Sequence, residues 1–215
     1  NYDNMYNSLY NVYTNFFKRD GVEKTAVDKK GRPVKVKYHA PNKKFLVDNR
    51  GWLINGGVKY YNEDKNNEQA LKYFSLYIES AQNLMLAGDS AIVNDTLITT
   101  IAYYASLASM QLKDYKSVLK FTPLVKQDRE NHRYGYEFTA SAYREMGDTA
   151  QWIAELQEGV KKYPDHNYFV GNLLDYYNNS GKFDEALKFA NDMVTKDPND
   201  SFMQYVKGYL CQNLK

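Results

Sequence analysis

The chain has 215 residues, of which 43% are hydrophobic, and its formal net charge is +2 at pH 7. A chain so close to neutrality gives no electrostatic reason to expect a nucleic-acid partner or a membrane surface. No apolar run approaches the roughly 20 residues that a membrane span needs, and the single Cys211 excludes an internal disulfide framework. Because the first residue is Asn1 rather than Met, we expect a processed or trimmed start.

Residues 1–50 are predicted to form a region of their own, an N-terminal helix followed by a basic insertion loop. Apolar residues recur at helical spacing over residues 2–18, which predicts one helix. Glycines and prolines interrupt residues 19–44, and residues 34–38 alternate like a short strand, so we expect a small irregular or β-hairpin insertion. Its basic residues are Lys29, Lys30, Arg32, Lys35, Lys37, Lys43 and Lys44. They are interpreted either as a contact for an anionic partner or, as we favour, as a solvated loop.

A fixed spacing of 34 residues relates three pairs of residues in the second half of the chain. The pairs are Tyr143 and Tyr177, Gly147 and Gly181, and Pro164 and Pro198. A period near this length is typical of α-helical repeat arrays, in which each unit buries its apolar face by stacking on its neighbours. The clearest unit, 167–200, has two helical apolar patterns separated by Gly181 and closed by Pro198. We therefore predict a helix–turn–helix hairpin.

This unit resembles the tetratricopeptide repeat family. Residues 181–187 and Pro198 match that family's pattern of a turn glycine, an alanine and a final proline. The resemblance implies an all-α fold, an α-solenoid of antiparallel helix pairs wound into a right-handed superhelix. It covers residues 51–215, with an insertion at 85–98. The units lie near 51–84, 99–132, 133–166 and 167–200, and an incomplete unit spans 201–215.

Departures from the family pattern give three packing expectations. Where the two helices of a unit approach most closely, a large residue faces a small one, as in Val58 with Ala70. Trp152 is the extreme case, and we expect it to be buried in the room left by Gly159. Pro123 falls inside a predicted helix, so a kink or an early helix end is expected just before it.

The sequence contains no constellation typical of catalysis or metal binding. Its three histidines are scattered along the chain. Gly88-Asp89-Ser90 is similar to one hydrolase nucleophile motif, but no α/β pattern surrounds it. We therefore expect a non-enzymatic protein without cofactor or metal, and an enzymatic role hidden in the N-terminal insertion is the least favoured alternative.

The resemblance puts the ligand site on the concave face, which the first helix of each unit lines in this family. The family's groove positions fall here on aromatic and polar side chains, which suit an extended peptide and also stack on sugar rings. The predicted groove residues are Trp52, Asn55, Lys59, Tyr103, Tyr134, Glu137, Ser141, Arg144, Tyr168, Asp175, Asn178, Phe202 and Tyr205. For any single aromatic residue, packing between adjacent repeats is an equally weighted interpretation.

The favoured function is a non-catalytic scaffold that binds a protein or peptide segment along the concave face. The alternative is a carbohydrate-associated binding or assembly role in a bacterial cell envelope, with a glycan as ligand. Similarity to outer-surface glycan-binding proteins with such repeats favours a bacterial extracytoplasmic location, periplasmic or envelope, over a cytoplasmic one.

The incomplete last unit bears on the partners of the chain. Residues 201–215 supply a first helix without a second, so Met203, Val206 and Leu210 are expected to lose their cover. Truncation of a longer native protein is favoured over self-association through this C-terminal helix.

Overall fold

The computed structural model describes residues 2–34, 38–164 and 166–213. Within these ranges the protein is all-helical, with twelve helices and no β-strand. The helices are α1 (Tyr2–Thr25), α2 (His39–Asn49), α3 (Gly51–Asn62), α4 (Asn67–Gln82), α5 (Ser90–Val93), α6 (Ile98–Gln111), α7 (Tyr115–Val125), α8 (His132–Glu145), α9 (Thr149–Lys162), α10 (Asn167–Asn179), α11 (Phe183–Lys196) and α12 (Ser201–Asn213). The chain divides into two compact units, and the division between Phe138 and Thr139 falls inside α8.

Helices that are neighbours in sequence pack side by side in both units. In unit 1, α3 packs against α4, α4 against α6 and α6 against α7, while α1 lies against α2 and α3. In unit 2, α9 packs against α10, α10 against α11 and α11 against α12. This packing of neighbours is consistent with a helical repeat, in which each helix pair covers the apolar face of the next.

The turn between paired helices repeats its geometry at the 34-residue spacing. Gly147 and Gly181 adopt the left-handed backbone conformation, with φ of 76° and 66°, and Lys113, one period earlier, has φ of 56°. The predicted turns at both glycines are confirmed, because glycine takes this conformation without a Cβ penalty. The side chains of Asp114 and Asp148 then cap the next helix by accepting the backbone N–H three residues later.

The N-terminal region is more helical than predicted. Helix α1 continues to Thr25 and α2 begins at His39, so the two helices take up both ends of residues 19–44, the segment expected to be an irregular insertion. Pro41 lies in the first turn of α2, where its missing N–H costs no helical hydrogen bond, so this proline helps to begin a helix. Before α2, the described residues contain one isolated antiparallel bridge, between Val27 and Pro33. Most of the predicted strand, residues 35–37, lies outside the described residues.

Pro123 lies near the end of a short helix: α7 stops at Val125, three residues earlier in the 34-residue register than α9 and α11. Helix α7 runs from Tyr115 to Val125 and contains the proline. The expectation of a helix end before Pro123 is therefore wrong. Since only two helical residues follow the proline, the ring removes a single hydrogen bond in the last turn.

In unit 1, a glycine of α3 makes room for an aromatic ring of α4. A Cβ on Gly57 would lie 2.3 Å from the Phe74 ring, and Phe74 is fully buried. Val58 is 38% exposed, whereas Ala70, the small residue predicted to face it, is fully buried. The small residue that admits a large side chain of α4 is instead Gly57, one residue before Val58.

In unit 2, Gly159 of α9 accommodates Phe169 of α10. A Cβ on Gly159 would lie 2.1 Å from Cδ1 of the buried Phe169. Trp152 is half-buried, and its ring meets Tyr176 edge-on with 5.7 Å between the centroids. The predicted pairing of Trp152 with Gly159 is wrong, because the ring that fills this gap comes from the following helix.

Helix α12 rests on α11. Met203 and Leu210 are each only 1% exposed, so the expected loss of cover is wrong for both. The exposed large hydrophobic side chains of this helix are instead Phe202, Tyr205 and Tyr209.

A buried arginine joins three parts of unit 1. Arg50, between α2 and α3, pairs through Nη1 with Asp95 Oδ2 at 2.6 Å, and neither side chain is more than 7% exposed. Its Nε donates to Ser80 Oγ at 2.7 Å and its Nη2 to the Tyr77 carbonyl at 2.9 Å, both in α4. Tyr77 also donates its hydroxyl to Asp95 at 2.9 Å, and its ring lies 3.6 Å from the guanidinium carbon. The segment before α6 is thereby tied to α4 and to the α2–α3 corner.

A buried carboxylate, Asp128, ties the start of α6 to the segment before α8. Its oxygens accept hydrogen bonds from the hydroxyls of Thr99 and Thr100 at 2.8 Å each, and from the backbone N–H of Asn131 at 2.8 Å. Burial by itself raises the pKa of this carboxyl. The hydrogen bonds outweigh burial and lower the pKa to about 2 from an ordinary 3.8.

We expect Arg50→Met to lower the free energy of unfolding by about 3–5 kcal/mol, because the Asp95 carboxylate stays buried without its partner. Urea denaturation followed by far-UV circular dichroism measures the change. The matched control is Lys44→Met, which breaks the exposed ion pair with Asp48 and should leave the midpoint unchanged. Equal midpoints for the two variants would contradict the structural role of Arg50.

Asp128 should make the fold sensitive to acid. Since its pKa is lower in the folded state, the carboxylate stabilises the fold above pH 3.8, and this contribution is lost as the pH falls towards about 2. In urea titrations at a series of pH values, the stability difference between wild type and Asp128→Asn should shrink across that interval. The control is Asp192→Asn, an exposed site on α11. A difference that stays constant with pH would show that the carboxylate charge is not involved.

Gly159→Ala should destabilise the protein by about 1–3 kcal/mol, because the added methyl overpacks the contact with Phe169. Gly171→Ala is the matched control, since a Cβ there meets nothing within 4 Å. In the interior of α10 this control should stabilise by about 0.5–1 kcal/mol. Thermal unfolding separates the two variants, and a melting temperature for Gly159→Ala at or above wild type would overturn the packing assignment.

Candidate aromatic binding surface

Five aromatic side chains form a continuous run across three helices of unit 1. We call this set, Tyr61, Tyr104, Tyr103, Tyr134 and Phe138, the aromatic run. Tyr61 in α3 lies 6.2 Å from Tyr104 in α6, measured between ring centroids, and Tyr104 lies 5.4 Å from Tyr103. Tyr103 in turn lies 5.4 Å from Tyr134 and 5.9 Å from Phe138, both in α8.

Local sequence explains how each helix presents its rings. Tyr134 and Phe138 are four residues apart, so they lie on one face of α8, with 5.7 Å between centroids. Tyr103 and Tyr104 are adjacent and diverge around α6. Tyr103 meets α8, whereas Tyr104 leans on Tyr61 and on the buried Phe74.

The rings of the run combine partial exposure with fixed positions. Tyr104 is 36% exposed, and the other four are half-buried. Each ring contacts at least one other aromatic ring, which restricts the rotamers that it can adopt. A ligand that covers these rings would therefore order few side chains.

The phenol hydroxyls of the run differ from the other polar groups nearby in their hydrogen bonding. Among the described residues, the hydroxyls of Tyr61, Tyr103, Tyr104 and Tyr134 have no hydrogen-bond partner. Burial raises the pKa of Tyr61 and of Tyr103, and neighbouring tyrosines add to the shift. Both hydroxyls are protonated at neutral pH, as a tyrosine of ordinary pKa already is, so each can donate one hydrogen bond and also accept.

One cation lies against the run. The guanidinium carbon of Arg133 is 4.4 Å from the Tyr134 ring centroid, in cation–π geometry. Arg133 also forms an ion pair with Glu137, four residues later in α8. The positive charge beside the run thus has a counter-charge from the same helix.

Three other predicted groove residues of unit 1 lie outside the aromatic run. Lys59 is ion-paired with Asp3, at 3.1 Å, and with Asp64. The hydrogen bond to Asp64, opposed by desolvation and aided by Asp3, raises the pKa of Lys59. Lys59 is therefore a structural cation, whereas Trp52, 44% exposed, and the exposed Asn55 line a shallow groove.

In unit 2, three predicted groove residues form hydrogen bonds between helices. The hydroxyls of Ser141 and Tyr168 are 2.8 Å apart, and Nη1 of Arg144 donates to Asn172 Oδ1 at 3.3 Å. The Arg144 guanidinium also lies 5.4 Å from the Trp152 ring centroid. These side chains link α8, α9 and α10.

The remaining predicted residues of unit 2 face solvent. They are Asp175, Asn178, Phe202 and Tyr205, and Tyr205 is 71% exposed. Phe202 borders a depression between the starts of α10 and α12, which Asn167 and Asp200 also line.

Two residues of the aromatic run were predicted from the sequence as groove residues, and three were not. Tyr61, Tyr104 and Phe138 extend the predicted Tyr103 and Tyr134 into the run. The signal in the sequence is the tyrosine doublets, 60–61 and 103–104, because neighbouring positions on a helix cannot both face the same core. Tyr60 is buried while Tyr61 is not, as this argument requires.

Two further features bear on chemistry. Among the described residues, no group of three or more His, Cys, Asp or Glu side chains is placed to hold a metal ion. No described helix is long and apolar enough to cross a membrane. Comparison with known proteins adds no assignment, since neither a protein-family model nor a curated protein matches the chain.

Proposed function

We propose that the chain is a non-catalytic binding scaffold that recognises a peptide or protein segment. The observation that carries this proposal is the aromatic run, whose rings are rigid and partly exposed and whose hydroxyls lack partners within the described residues. Aromatic side chains dominate the energetics of recognition surfaces because they bury a large area at low entropic cost.

The architecture of the proposed scaffold is an α-solenoid of tetratricopeptide repeats. Three observations support it: the 34-residue spacing, the left-handed residue that recurs at Lys113, Gly147 and Gly181, and the packing of neighbouring helices. In that architecture, α3, α6 and α8 are the first helices of successive repeats, which line the ligand face.

A carbohydrate-associated role in a bacterial cell envelope is the second candidate. It is favoured by Trp52, whose exposed indole has the amides of Asn49 and Asn55 among its neighbours in two adjoining grooves. A planar ring with flanking amides suits the faces and hydroxyls of a sugar. An extracytoplasmic location belongs to this proposal.

Peptide-library panning on the immobilised chain, run in parallel with a glycan array, tests the proposed function. We expect selected peptides, and we expect the double variant Tyr104→Ala and Tyr134→Ala to weaken their binding by about tenfold or more. Phe183→Ala is the matched control, because Phe183 and Tyr104 are both 36% exposed and Phe183 lies on α11.

Thermal unfolding of each variant establishes that the fold is kept. Failure to select any peptide, or selected binding that both variants leave unchanged, would refute the peptide-binding function. Glycan binding that Trp52→Ala abolishes would instead establish the second candidate.

A further inference from the structure

Helix α1 lies antiparallel to α2 and α3. Near the start of α1, Asp3 accepts a hydrogen bond from Nζ of Lys59 in α3 at 3.1 Å. Further along α1, the Phe16 ring lies 6.3 Å from that of Phe45 in α2, measured between centroids. Arg50 joins α2 to α3 with helical backbone angles, φ of −61° and ψ of −34°. The helices α1, α2 and α3 therefore form a layer that is two helices wide.

An apolar groove lies along this layer. Tyr6 of α1 turns to the core, where its ring lies 6.2 Å from that of Tyr73 in α4. The groove is lined by Met5, Ser8, Leu9 and Val12 of α1, and by Phe45, Asn49 and Trp52 of α2 and α3. Residues 5, 9 and 12 follow the spacing i, i+4, i+7, as do residues 45, 49 and 52. Each row of the layer thus presents one helical face to the groove.

The surface around the groove carries little charge. Residues 4–17 of α1 and 51–58 of α3 include no Asp, Glu, Lys, Arg or His, although 25% of the chain is charged. On α2, Lys44 and Asp48 neutralise one another at 2.8 Å. A solvated helix face is ordinarily charged. Depletion of charge together with exposed Met, Phe and Trp is instead the composition of an interface core.

The lack of charge favours a second copy of the chain as the occupant of this surface. In a two-fold dimer the same patch meets itself, so charged residues near the axis would face their own like charges, which is costly. A neutral patch avoids this repulsion. A charged rim is the usual means of selecting a different protein, and residues 4–17 and 51–58 supply none.

The shape of the patch also suits self-association. Trp52 is 44% exposed and borders two grooves, one with Met5 and Phe45 and the other with Ile54 and Leu97. A projecting ring beside a hollow is what an isologous interface needs, because each copy then inserts into the other. A single partner helix would need only the hollow.

The layer is large enough for a stable dimer. Helix α1 has 24 residues, which at 1.5 Å per residue make about 36 Å. Two helices side by side are about 20 Å wide, so the layer offers each copy about 700 Å². A specific interface buries about 800 Å² per partner. Contact over the whole layer therefore approaches the standard size.

We infer that two copies of the chain associate through the α1 face, the surface formed by Met5, Leu9, Val12, Phe45 and Trp52. The two helix layers then pack as a bundle around an apolar seam. The dimer carries two aromatic runs, so a ligand with two recognition segments would bind it with avidity. Because the dimer covers Trp52, it also competes with glycan binding at that residue.

Sedimentation equilibrium over a range of protein concentrations tests the dimer. We expect twice the 25.0 kDa mass of one chain. Met5→Glu combined with Phe45→Glu puts carboxylates into the seam and should weaken the association by about a hundredfold or more. Val58→Glu is the matched control and should leave the dimer intact. Val58 is 38% exposed, against 40% for Met5 and 43% for Phe45, and it does not line the groove.

A second variant guards against loss of the fold. Ser8 is exposed and lines the groove, so Ser8→Arg removes no apolar contact from the chain and should also dissociate the dimer. Thermal unfolding followed by circular dichroism shows that each variant is folded.

Three results would overturn the inference. A mass of one chain for the wild type at every concentration would refute the dimer and leave the proposed scaffold function standing. A dimer that survives both Ser8→Arg and the Met5 and Phe45 pair would not be held by the α1 face. Dissociation by Tyr205→Glu, in α12, would assign self-association to that helix instead.

Discussion

The buried guanidinium of Arg50 is the interaction on which the arrangement of unit 1 depends. It bonds from the α2–α3 corner to α4 and to Asp95, in the segment that leads into α6. Loss of the Arg50 guanidinium would leave the Asp95 carboxylate buried without a counter-charge, which is strongly destabilising. The same helices carry Tyr61, Phe74 and the 103–104 tyrosine doublet, so the positions of these rings follow from the network behind them.

Aromatic side chains have two separate roles in this protein. Some fill the core where a glycine admits them, as Phe74 does at Gly57 and Phe169 at Gly159. Others, in the aromatic run, are held in place by their contacts with one another and remain partly exposed. Side chains fixed in this way lose little conformational entropy when a ligand covers them, which is the property that the proposed binding function uses.

The parts of the fold that sequence reasoning recovered are those governed by short-range rules. The turns at Gly147 and Gly181 follow from the conformational freedom of glycine, and the existence of the paired helices follows from apolar periodicity. The predictions that were wrong rest on residues whose pattern fits two different structures. Pro41 suggests a loop, but a proline is equally suited to the first turn of a helix. Gly159 suggests room for Trp152 on the same helix, but Phe169 of the next helix fills that space.

The candidate site likewise has features that follow from local sequence and features that depend on tertiary packing. The sequence by itself determined the paired helices of the second half of the chain, their 34-residue period and the tyrosine doublets, because capping, turns and helical periodicity act over a few residues. Only the tertiary structure decided that Lys59 is neutralised by Asp3, 56 positions away, and that Tyr61, Tyr103 and Tyr134 meet. The physical reason is that ion pairs and ring contacts depend on separations of a few ångströms between helices, which are set by packing and by the buried Arg50 network rather than by local pattern.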